Sequence, residues 1–380
     1  MTVDPTSRLL EDLVSIDSVN PSLVPGARGE GDIARRIATE CFDAGLAVNI
    51  SEVAPGRPNV VAVLEGRAPG PALMFCGHMD TVGVAGMETP FQPTSLDGLL
   101  YGRGAQDMKG GLAAMVGAAR ALAESGGLAR GRLIVAAVID EEHASLGAEA
   151  LVATWHADAA VVTEPTDVHV AVGHKGFEWV EIETRGRAAH GSRPADGRDA
   201  ILRMGRVLVA LETLDRQLQA GRAHRLLGAP SLHASIVAGG SELSSYPDRC
   251  TLQVERRTLP GEPQNAGWLE ACVILARLRS EDPEFEGDAR PMFSRQAYEI
   301  DASHALPEML RTAAASVGCP SNVTGMTYWS DAAILGAAGI PSVLFGPGGA
   351  GLHSPEEYVR LDEVLKCRDA LVALSRQFTG

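Results

Sequence analysis

The chain has 380 residues, of which 45% are hydrophobic and 21% are charged, and its formal net charge is −15 at pH 7. Because a domain usually contains about 100–200 residues, this length predicts two domains, and the composition is typical of a globular chain rather than a disordered one. The net negative charge, which no cluster of Lys and Arg offsets, disfavours contact with phosphate backbones, so we expect no nucleic-acid partner.

The sequence has no feature typical of a membrane or secreted protein. No apolar run approaches the ~20 residues that span a bilayer, and residues 1–10 lack the basic and then apolar order of a signal peptide. The six cysteines are scattered without a C-x-x-C pair, so they do not indicate a disulfide framework. We therefore expect a cytoplasmic location, no membrane partner, and core positions for cysteines such as Cys76 and Cys272.

The predicted elements begin with buried strands. Continuous apolar runs, each ending in a loop, predict strands at Ala72–Cys76, Leu133–Ile139, Ala159–Thr163 and Ser342–Phe345. Two helices that would cover a sheet are predicted at Leu112–Ala123 and Pro307–Val317. Strands without a polar face, separated by helical sequence, indicate an α/β fold with a mixed, mainly parallel sheet flanked by helices.

The middle of the chain has a different pattern. Alternating apolar and polar residues predict antiparallel strands with one wet face at Trp179–Thr184 and Leu252–Glu255. Amphipathic helices are predicted at Ala200–Leu218 and Trp268–Leu278. We therefore expect an α+β domain over residues 174–292, inserted into an α/β domain formed by residues 1–173 and 293–380.

Side chains that can bind metal follow the buried strands or lie in Gly-rich loops. They are two histidines and four carboxylates: His78, Asp107, Glu141, Glu142, Glu164 and His353. In an open α/β sheet, ligands bind at the carboxyl ends of the strands, so we expect these side chains to meet at one edge of the sheet.

Two histidines and three carboxylates make a mixed nitrogen and oxygen site, which suits Zn²⁺ or a similar divalent ion. One of the carboxylates can bridge two ions. Asp80, two residues after His78, is placed to accept the second ring N–H and to fix the tautomer. Glu141 is then left beside a ligand as a general base for a bound water, whose pKa a metal can lower from 15.7 to about 7.

Other interpretations of the same segments are weaker. A His-x-Asp sequence is common, and an acidic pair such as Glu141-Glu142 is usually solvated surface. Gly102-x-Gly104 hints at a nucleotide loop, but position 107 is Asp rather than Gly and no clear strand precedes the loop. The G-x-S-x-G sequence of a serine hydrolase is absent. The convergence of all the ligands at one sheet edge favours the metal site.

Taken together, the motifs point to a family. The sequence resembles the metallo-amidohydrolases that include acetylornithine deacetylase, succinyl-diaminopimelate desuccinylase, carboxypeptidase G and aminoacylase, from about Leu9 to Val372. The motifs that carry the resemblance are Gly77-His78-Met79-Asp80-Thr81-Val82, Gly102-Arg103-Gly104 leading to Asp107-Met108-Lys109-Gly110-Gly111, Asp140-Glu141-Glu142, Glu164-Pro165, and Gly346-Pro347-Gly348 leading to His353.

The resemblance implies a role for each of these residues. Asp107 corresponds to a ligand that bridges two zinc ions, for which Co²⁺ or Mn²⁺ are possible substitutes, and Glu141 corresponds to the general base. The remaining ligands would complete the two sites in pairs, His78 with Glu164 and Glu142 with His353. The family also implies a cis peptide bond between Asp107 and Met108.

The resemblance further implies that the inserted domain is a lid and dimerisation domain in a homodimer. Within the loop Ala188–Pro194, His190 corresponds to a histidine that reaches the active site of the partner subunit. Arg257 corresponds to the arginine that holds the substrate carboxylate. Without the resemblance, an ordinary loop histidine and an arginine paired with Glu255 at the surface would be the simpler explanations.

Three positions depart from the family pattern. Glu255 stands where the family often has Asp, and Ser244 stands where many members have a substrate-binding Asn. Tyr328 and Trp329 stand where the desuccinylases have small residues. Because only 4% of the residues are aromatic, this pair is a candidate for shaping the substrate pocket, with packing in the core as the alternative.

These inferences predict a zinc-dependent amidohydrolase that releases a carboxylate and an amino acid from a small N-acyl-amino acid. A metallo-dipeptidase or carboxypeptidase of the same family is the alternative within the same chemistry. A catalytically inactive homologue that serves as a binding protein is the alternative from another class, and the complete set of ligands and base argues against it. The acyl group, the accepted side chain, the metal used in vivo and the pathway stay open at this point.

Overall fold

The structure is a computed structural model that describes residues 4–221, 223–320 and 322–380. The contacts within the chain divide it into two units. Unit 1 runs up to Gly173 and resumes with Ile300–Thr324 and Ser330–Gly380, and unit 2 comprises His174–Glu299 and Gly325–Trp329.

The helices and strands of the described residues are numbered in chain order. The helices are α1 (Pro5–Ser15), α2 (Gly31–Asp43), α3 (Gly110–Glu124), α4 (Leu146–Thr154), α5 (Ala200–Ala220), α6 (Ala266–Glu281), α7 (Leu306–Ser316), α8 (Ala332–Ala337) and α9 (Leu361–Thr379). The strands are β1 (Ala47–Ala54), β2 (Arg57–Glu65), β3 (Ala72–His78), β4 (Thr94–Leu96), β5 (Leu99–Tyr101), β6 (Arg132–Val138), β7 (Ala159–Val162), β8 (Val170–His174), β9 (Gly176–Arg185), β10 (Ser231–Gly239), β11 (Arg249–Thr258), β12 (Glu286–Arg295), β13 (Tyr298–Glu299), β14 (Val323–Met326), β15 (Ser342–Leu344), β16 (Gly349–Ala350) and β17 (Tyr358–Arg360).

Unit 1 is built on a mixed sheet with the strand order β1-β2-β6-β3-β7-β15-β8. The central strands β6, β3, β7 and β15 run parallel to one another, and antiparallel pairings add β2 and β1 on one side and β8 on the other. The central strands are buried, as their continuous apolar sequences require. The predicted fold class, a mixed and mainly parallel sheet flanked by helices, is confirmed.

The register of the parallel strands aligns their carboxyl ends. His78 in β3 pairs with Val138 in β6, and Cys76 in β3 pairs with Val162 in β7. Leu344 in β15 pairs with the same Val162. Because these strands end together, the loops that follow them meet at one edge of the sheet.

Helix α3 fixes the segment that precedes it against this edge. The helix is rich in Ala, Gly, Leu and Met, and its residues from Gly110 to Ala119 are buried, which is typical of a helix that is apolar on all sides. A Cβ atom added to Gly111 would lie 2.0 Å from the main-chain oxygen of Thr163. Only glycine therefore allows the start of α3 to approach the loop after β7 so closely.

Unit 2 contains an antiparallel sheet with the strand order β10-β11-β9-β12, and α5 and α6 pack against it. Val180, Ile182, Leu252 and Val254 belong to the buried cluster that these helices share with the sheet. The intervening residues of β9 and β11 lie on the other face and are more exposed. The alternation predicted for the two strands is thereby confirmed.

The structure differs from the sequence-based expectations in the end of unit 2 and in the segment before Gly102. Strand β12 continues to Arg295 and unit 2 extends to Glu299, past the predicted boundary at 292. The expectation that no strand precedes Gly102 is wrong, because β5 ends at Tyr101 and pairs with β17 and β4 in a small antiparallel sheet. A strand of this length has too few residues to show a period-two pattern.

The cysteines are free thiols, and Cys76 is buried whereas Cys272 is only partly buried. Cys76 therefore lies in the core as predicted, and Cys272 lies at its border. Within the described residues, no helix has both the length and the apolar character needed to cross a bilayer.

Candidate metal centre

The residues predicted to bind metal lie where the strands of unit 1 end. His78 is the last residue of β3, and Glu164 follows β7; their side chains are almost fully buried. Glu142 follows β6, and its side chain is 7% exposed. His353 follows β16 with a left-handed φ of 58°, and its side chain is 53% exposed. The edge of the centre at His353 is therefore open to solvent.

Asp107 lies on a short π-helical turn, Ala105–Lys109, directly before α3. The peptide bond between Asp107 and Met108 is cis, as the family resemblance predicts. Sulfur of Met108 lies 3.3 Å from the main-chain nitrogen of His78. The turn thus holds Asp107 next to the end of β3.

The side chain of Asp107 lies between the two histidines. Its Oδ1 is 3.0 Å from Nε2 of His78, and its Oδ2 is 3.4 Å from Nε2 of His353. Nε2 of His353 is also 3.2 Å from Oε2 of Glu142, and Nε2 of His78 is 3.9 Å from Oε1 of Glu164. The structure thus brings together two histidine–carboxylate pairs that share one aspartate.

Two overlapping groups of these side chains are compact enough to hold a cation. In each group, one potential ligand atom per residue lies within 4.8 Å of the others. One group is His78, Glu141 and Glu164, and the other is His78, Asp107 and Glu142. Glu141, which the sequence predicts to be a base rather than a ligand, therefore lies within the same group as His78 and Glu164.

Asp80 connects His78 to the two adjacent glutamates. Nδ1 of His78 lies 3.0 Å from the main-chain oxygen of Asp80 and 3.6 Å from its carboxylate, so the ring is oriented mainly by the main chain. The Asp80 carboxylate accepts the main-chain N–H groups of Glu141 and Glu142 at 3.1 and 3.2 Å. Asp80 therefore organises the turn that carries both glutamates as well as the histidine.

The three glutamates of the centre resist ionisation. Burial raises the pKa of Glu141 and of Glu164 well above the usual range, and the negative charges of neighbouring carboxylates raise both further. Burial also raises the pKa of Glu142, with a further contribution from the charge of Asp107. More negative charge is gathered here than the protein balances in the absence of a cation.

The histidines show the same excess of negative charge. Burial alone would lower the pKa of His78, but its interactions with Asp107 and Asp80 raise the pKa well above its usual range. The carboxylates of Asp107 and Glu142 raise the pKa of His353 to about 10. A divalent cation would balance this charge and displace the protons from the imidazoles.

The donor set fits a divalent metal. Imidazole nitrogen and carboxylate oxygen are ligands that Zn²⁺ and similar ions accept. Oε1 of Glu142 is buried and has no hydrogen-bond partner among the described residues, although buried polar atoms are usually paired. A cation at the centre would give this oxygen a partner.

His190 and Ser244 lie side by side in unit 2. His190 forms an isolated antiparallel bridge with Ser245, and the main-chain N–H of Gly191 donates to the oxygen of Ser244 at 2.7 Å. Nδ1 of His190 lies 2.8 Å from Oγ of Ser192. Both His190 and Ser244 are exposed, so each is accessible to a substrate or to another chain.

Arg257 belongs to an aromatic cluster in unit 2. Its Nε donates to Glu255 at 2.6 Å, and its guanidinium lies 5.5 Å from the centre of the Phe177 ring. The Phe177 ring is 6.2 Å from the ring of Trp329, which is buried and donates from Nε1 to the main-chain oxygen of Gln296 at 3.1 Å. Trp329 therefore packs in the interior of this cluster.

Tyr328 lies next to Trp329 and is half-buried. It is therefore more accessible than Trp329, and both residues belong to unit 2. A role of either ring in the substrate pocket stays a prediction.

Several polar residues that support the centre were not predicted from the sequence. Glu357 is 1% exposed and accepts the main-chain N–H of Asp107 at 3.1 Å. Asn20 donates to the Asp80 carboxylate at 2.8 Å, and Arg57 forms an ion pair with Glu30 at 2.6 Å in the same buried network. No periodicity or metal-ligand spacing marks these residues, because distant parts of the chain contribute them.

The fold and the clustered ligands define a metal-dependent hydrolase. The sequence matches the profile of Peptidase family M20/M25/M40 over residues 74–377, and the chain belongs to this family.

Two relatives agree with this assignment, and a solved structure shares the fold. The chain is 29% identical to N-formyl-4-amino-5-aminomethyl-2-methylpyrimidine deformylase of Bacillus subtilis over 378 residues, covering 90% of this chain and 88% of the relative. It is 28% identical to acetylornithine deacetylase of Myxococcus xanthus over 382 residues, covering 98% and 97%. Its fold is similar to that of aminopeptidase PepT from Bacillus cereus, with a TM-score of 0.82, 21% identity and coverage of 99% and 98%.

Proposed function

We propose that the protein hydrolyses the amide bond of a small N-acyl-amino acid at a centre of two zinc ions and releases a carboxylate and an amino acid. The observation that carries this proposal is the position of Asp107, whose two oxygens face His78 and His353 at 3.0 and 3.4 Å. This position would allow the Asp107 carboxylate to serve both metal sites. Co²⁺ or Mn²⁺ would substitute for Zn²⁺, since both accept the same ligands.

The other ligands are assigned in pairs. The distances support Glu142 with His353 at one ion and Glu164 with His78 at the other. Bound zinc ions would lower the pKa of water and polarise the amide carbonyl.

Glu141 is proposed as the general base. It takes a proton from the attacking water and passes it to the nitrogen of the leaving amine as the amide C–N bond breaks. Asp80 supports this role, because its carboxylate holds the main-chain N–H of Glu141 at 3.1 Å.

Residues of unit 2 are proposed to bind the substrate. Arg257 would hold the free carboxylate, because a guanidinium presents paired donors that match it. Ser244 would contact the substrate, and Tyr328 and Trp329 would shape the pocket for its variable group. The names of the two relatives describe the removal of a formyl and an acetyl group, which supports a small acyl group in the substrate.

We further propose a cytoplasmic homodimer that pairs through unit 2, with His190 serving the active site of the partner subunit. Strand β10 is an edge strand, and its apolar residues Ile236 and Val237 are 60% and 59% exposed. Exposed apolar edge strands favour pairing with another chain. The free cysteines are consistent with a reducing compartment.

A substitution of Glu141 tests the proposed chemistry. Glu141→Gln should keep both metals but lower kcat by about 10²–10⁴-fold, because only the proton transfer is lost. Its neighbour provides the control: Glu142→Gln should lose metal, which elemental analysis of the purified protein would detect. Near-wild-type kcat in Glu141→Gln, or wild-type protein that cannot be loaded with two metals, would contradict the mechanism.

The substrate class is tested on the metal-loaded enzyme with N-acetyl-, N-succinyl- and N-formyl-amino acids and with dipeptides, by measuring the released amine. Turnover of the N-acyl compounds above the dipeptides is expected. The opposite preference would show that the protein is a dipeptidase or carboxypeptidase, which would use the same residues.

A further inference from the structure

A buried polar network lies behind the metal centre of unit 1. Asn20, which is 0% exposed, donates from Nδ2 to Oδ2 of Asp80 at 2.8 Å and to Oδ1 of Asp140 at 3.0 Å. Its Oδ1 accepts from Nη2 of Arg57 at 3.2 Å and from the main-chain N–H of Ser22 at 2.8 Å. The nitrogen and the oxygen of this amide each take part in two hydrogen bonds. The charged partners fix which end of the side chain is oxygen and which is nitrogen.

The network is anchored on both sides of Asn20. Arg57 donates to both oxygens of Glu30, at 2.7 and 2.6 Å, and to Asp140 at 2.9 Å. The main chain of Asn20 is itself fixed, because its N–H donates to the oxygen of Thr81 at 2.9 Å. Asn20 is therefore held beside Asp80 independently of any metal.

Asn20 also separates two buried carboxylates. Asp80 and Asp140 are 1% and 0% exposed, and each accepts one hydrogen from the same amide group. Without this neutral donor the two negative groups would face each other without a shared partner, and buried carboxylates tolerate that poorly. Asn20 is thus one of the groups that orient the Asp80 carboxylate, together with the main-chain N–H groups of Glu141 and Glu142.

We propose that Asn20 is a positioning residue of the metal centre, because its amide locks the Asp80 carboxylate in the orientation that presents Glu141 and Glu142. Asp80 has no other side-chain donor to its Oδ2 among the described residues, and the same oxygen accepts the main-chain N–H of Glu142. A rotation of this carboxylate would therefore move the ligand and the base together. The inference rests on the roles proposed for these two glutamates.

The test compares two buried asparagines that support the same turn. Asn59 is 2% exposed, accepts the main-chain N–H of Ile139 at 3.1 Å and donates to the main-chain oxygen of Gly147 at 2.8 Å. It therefore contacts the residues before and after the turn but forms no hydrogen bond with Asp80 among the described residues. Asn20→Ala should bind metal about 10- to 100-fold more weakly, as is typical when a partner of a ligand-orienting group is lost. Asn59→Ala should lose stability but keep wild-type metal affinity.

Metal affinity is measured by chelator competition on folded protein, together with the visible absorption of the Co²⁺-loaded form, which reports ligand geometry. Asn20→Asp keeps the shape of the side chain but removes the donor, so it should perturb affinity and spectrum at least as strongly as Asn20→Ala. If Asn20→Ala does not fold, Asn20→Ser serves in its place with the same expectation. Wild-type affinity and spectrum in the folded Asn20 variants, or an equal loss in Asn59→Ala, would overturn the inference. Failure of wild-type protein to bind metal would instead overturn the proposed function.

Discussion

Arg257 is held in place before any substrate binds. Its Nε, rather than a terminal Nη atom, makes the ion pair with Glu255, which also accepts the indole N–H of Trp179 at 2.9 Å. The Phe177 ring beneath the guanidinium limits its movement further. A donor that is oriented in advance loses little entropy when it binds a carboxylate.

This arrangement predicts a selective effect of Arg257→Lys. An ammonium group is a point charge and cannot reproduce paired donors, so the ratio of kcat/KM for a free-carboxylate substrate over its methyl ester should fall about 10- to 100-fold. Arg290→Lys is the matched control, because Arg290 pairs with Glu181 on the same sheet and is 69% exposed. Equal losses on acid and ester in Arg257→Lys would remove this residue from the substrate site.

The proposed ligands could be picked out individually from the sequence, whereas the residues that support them could not. His78 and Glu164 stand where apolar runs end, and this position alone brings them to one edge of a parallel sheet. Glu357 reaches the turn of Asp107 from 250 residues away and bonds to main-chain atoms, which leave no trace in the sequence. Asn20 is a single polar residue in a loop, and only the fold shows what it contacts.

The junction of β8 and β9 contains a buried histidine. His174 is 0% exposed, and its Nδ1 lies 2.9 Å from the main-chain oxygen of Lys175, to which it donates. Its Nε2 has no hydrogen-bond partner in the part of the chain that is described, and the rings of Tyr298 and Trp329 lie with their centres 6.0 Å away. Burial lowers the pKa of His174 from 6.5 to about 4.

The stability of the protein should therefore fall on acidification because of this histidine. Between the unfolded pKa of 6.5 and the folded pKa of about 4, the unfolded chain binds a proton that the folded chain does not, so the free energy of unfolding decreases as the pH falls. In His174→Asn this contribution is absent. The difference in unfolding free energy between wild type and variant should shift by up to ~3 kcal/mol across this window.

The measurement is denaturant unfolding of metal-free protein over this pH range, so that metal loss does not contribute. The difference at neutral pH, where the imidazole is uncharged in both states, gives the packing effect of the substitution and is subtracted. A difference that does not change with pH would show that His174 is protonated as easily in the folded as in the unfolded chain.

Long elements were predicted more accurately than short ones. The apolar run Leu133–Ile139 matched β6, because a strand buried on both faces is apolar throughout. The alternation in Trp179–Thr184 matched β9, because a strand buried on one face alternates between apolar and polar residues. Strand β5 and the π-helical turn Ala105–Lys109 did not emerge from the sequence alone, since contacts with β17 and Glu357 stabilise them.

The proposed dimer predicts that active sites can be restored by subunit exchange. His190→Ala should lower kcat by about 10²–10³-fold, because one hydrogen bond to the negatively charged oxygen of the reaction intermediate is lost. If His190 acts across subunits, a mixture of His190→Ala with Glu141→Gln should recover about a quarter of wild-type activity, since half of the dimers are mixed and each has one complete site.

A double variant with both substitutions is the control, because its mixture with either single variant contains no complete site. Analytical ultracentrifugation and labelled subunits establish that exchange has occurred. A mixture that exchanges but stays inactive, or a fully active monomer, would show that His190 does not act in trans.

The division into units was only partly predictable. The change from continuous to alternating apolar sequence shows where unit 2 begins, near His174. Its end is less clear, because β12 carries mainly exposed and half-buried residues and passes into β13 without a change in composition. The return of Gly325–Trp329 to unit 2 has no sequence signature.

The strand order of unit 1 has a consequence for how the protein is made. Strand β15 lies between β7 and β8, yet the ribosome synthesises all of unit 2 before it reaches Ser342. Until then the nascent chain has a gap in its central sheet, with unpaired strand edges that favour aggregation or chaperone binding. His353 emerges later still, so the proposed metal centre can be completed only after all of unit 2 and β15 have been synthesised.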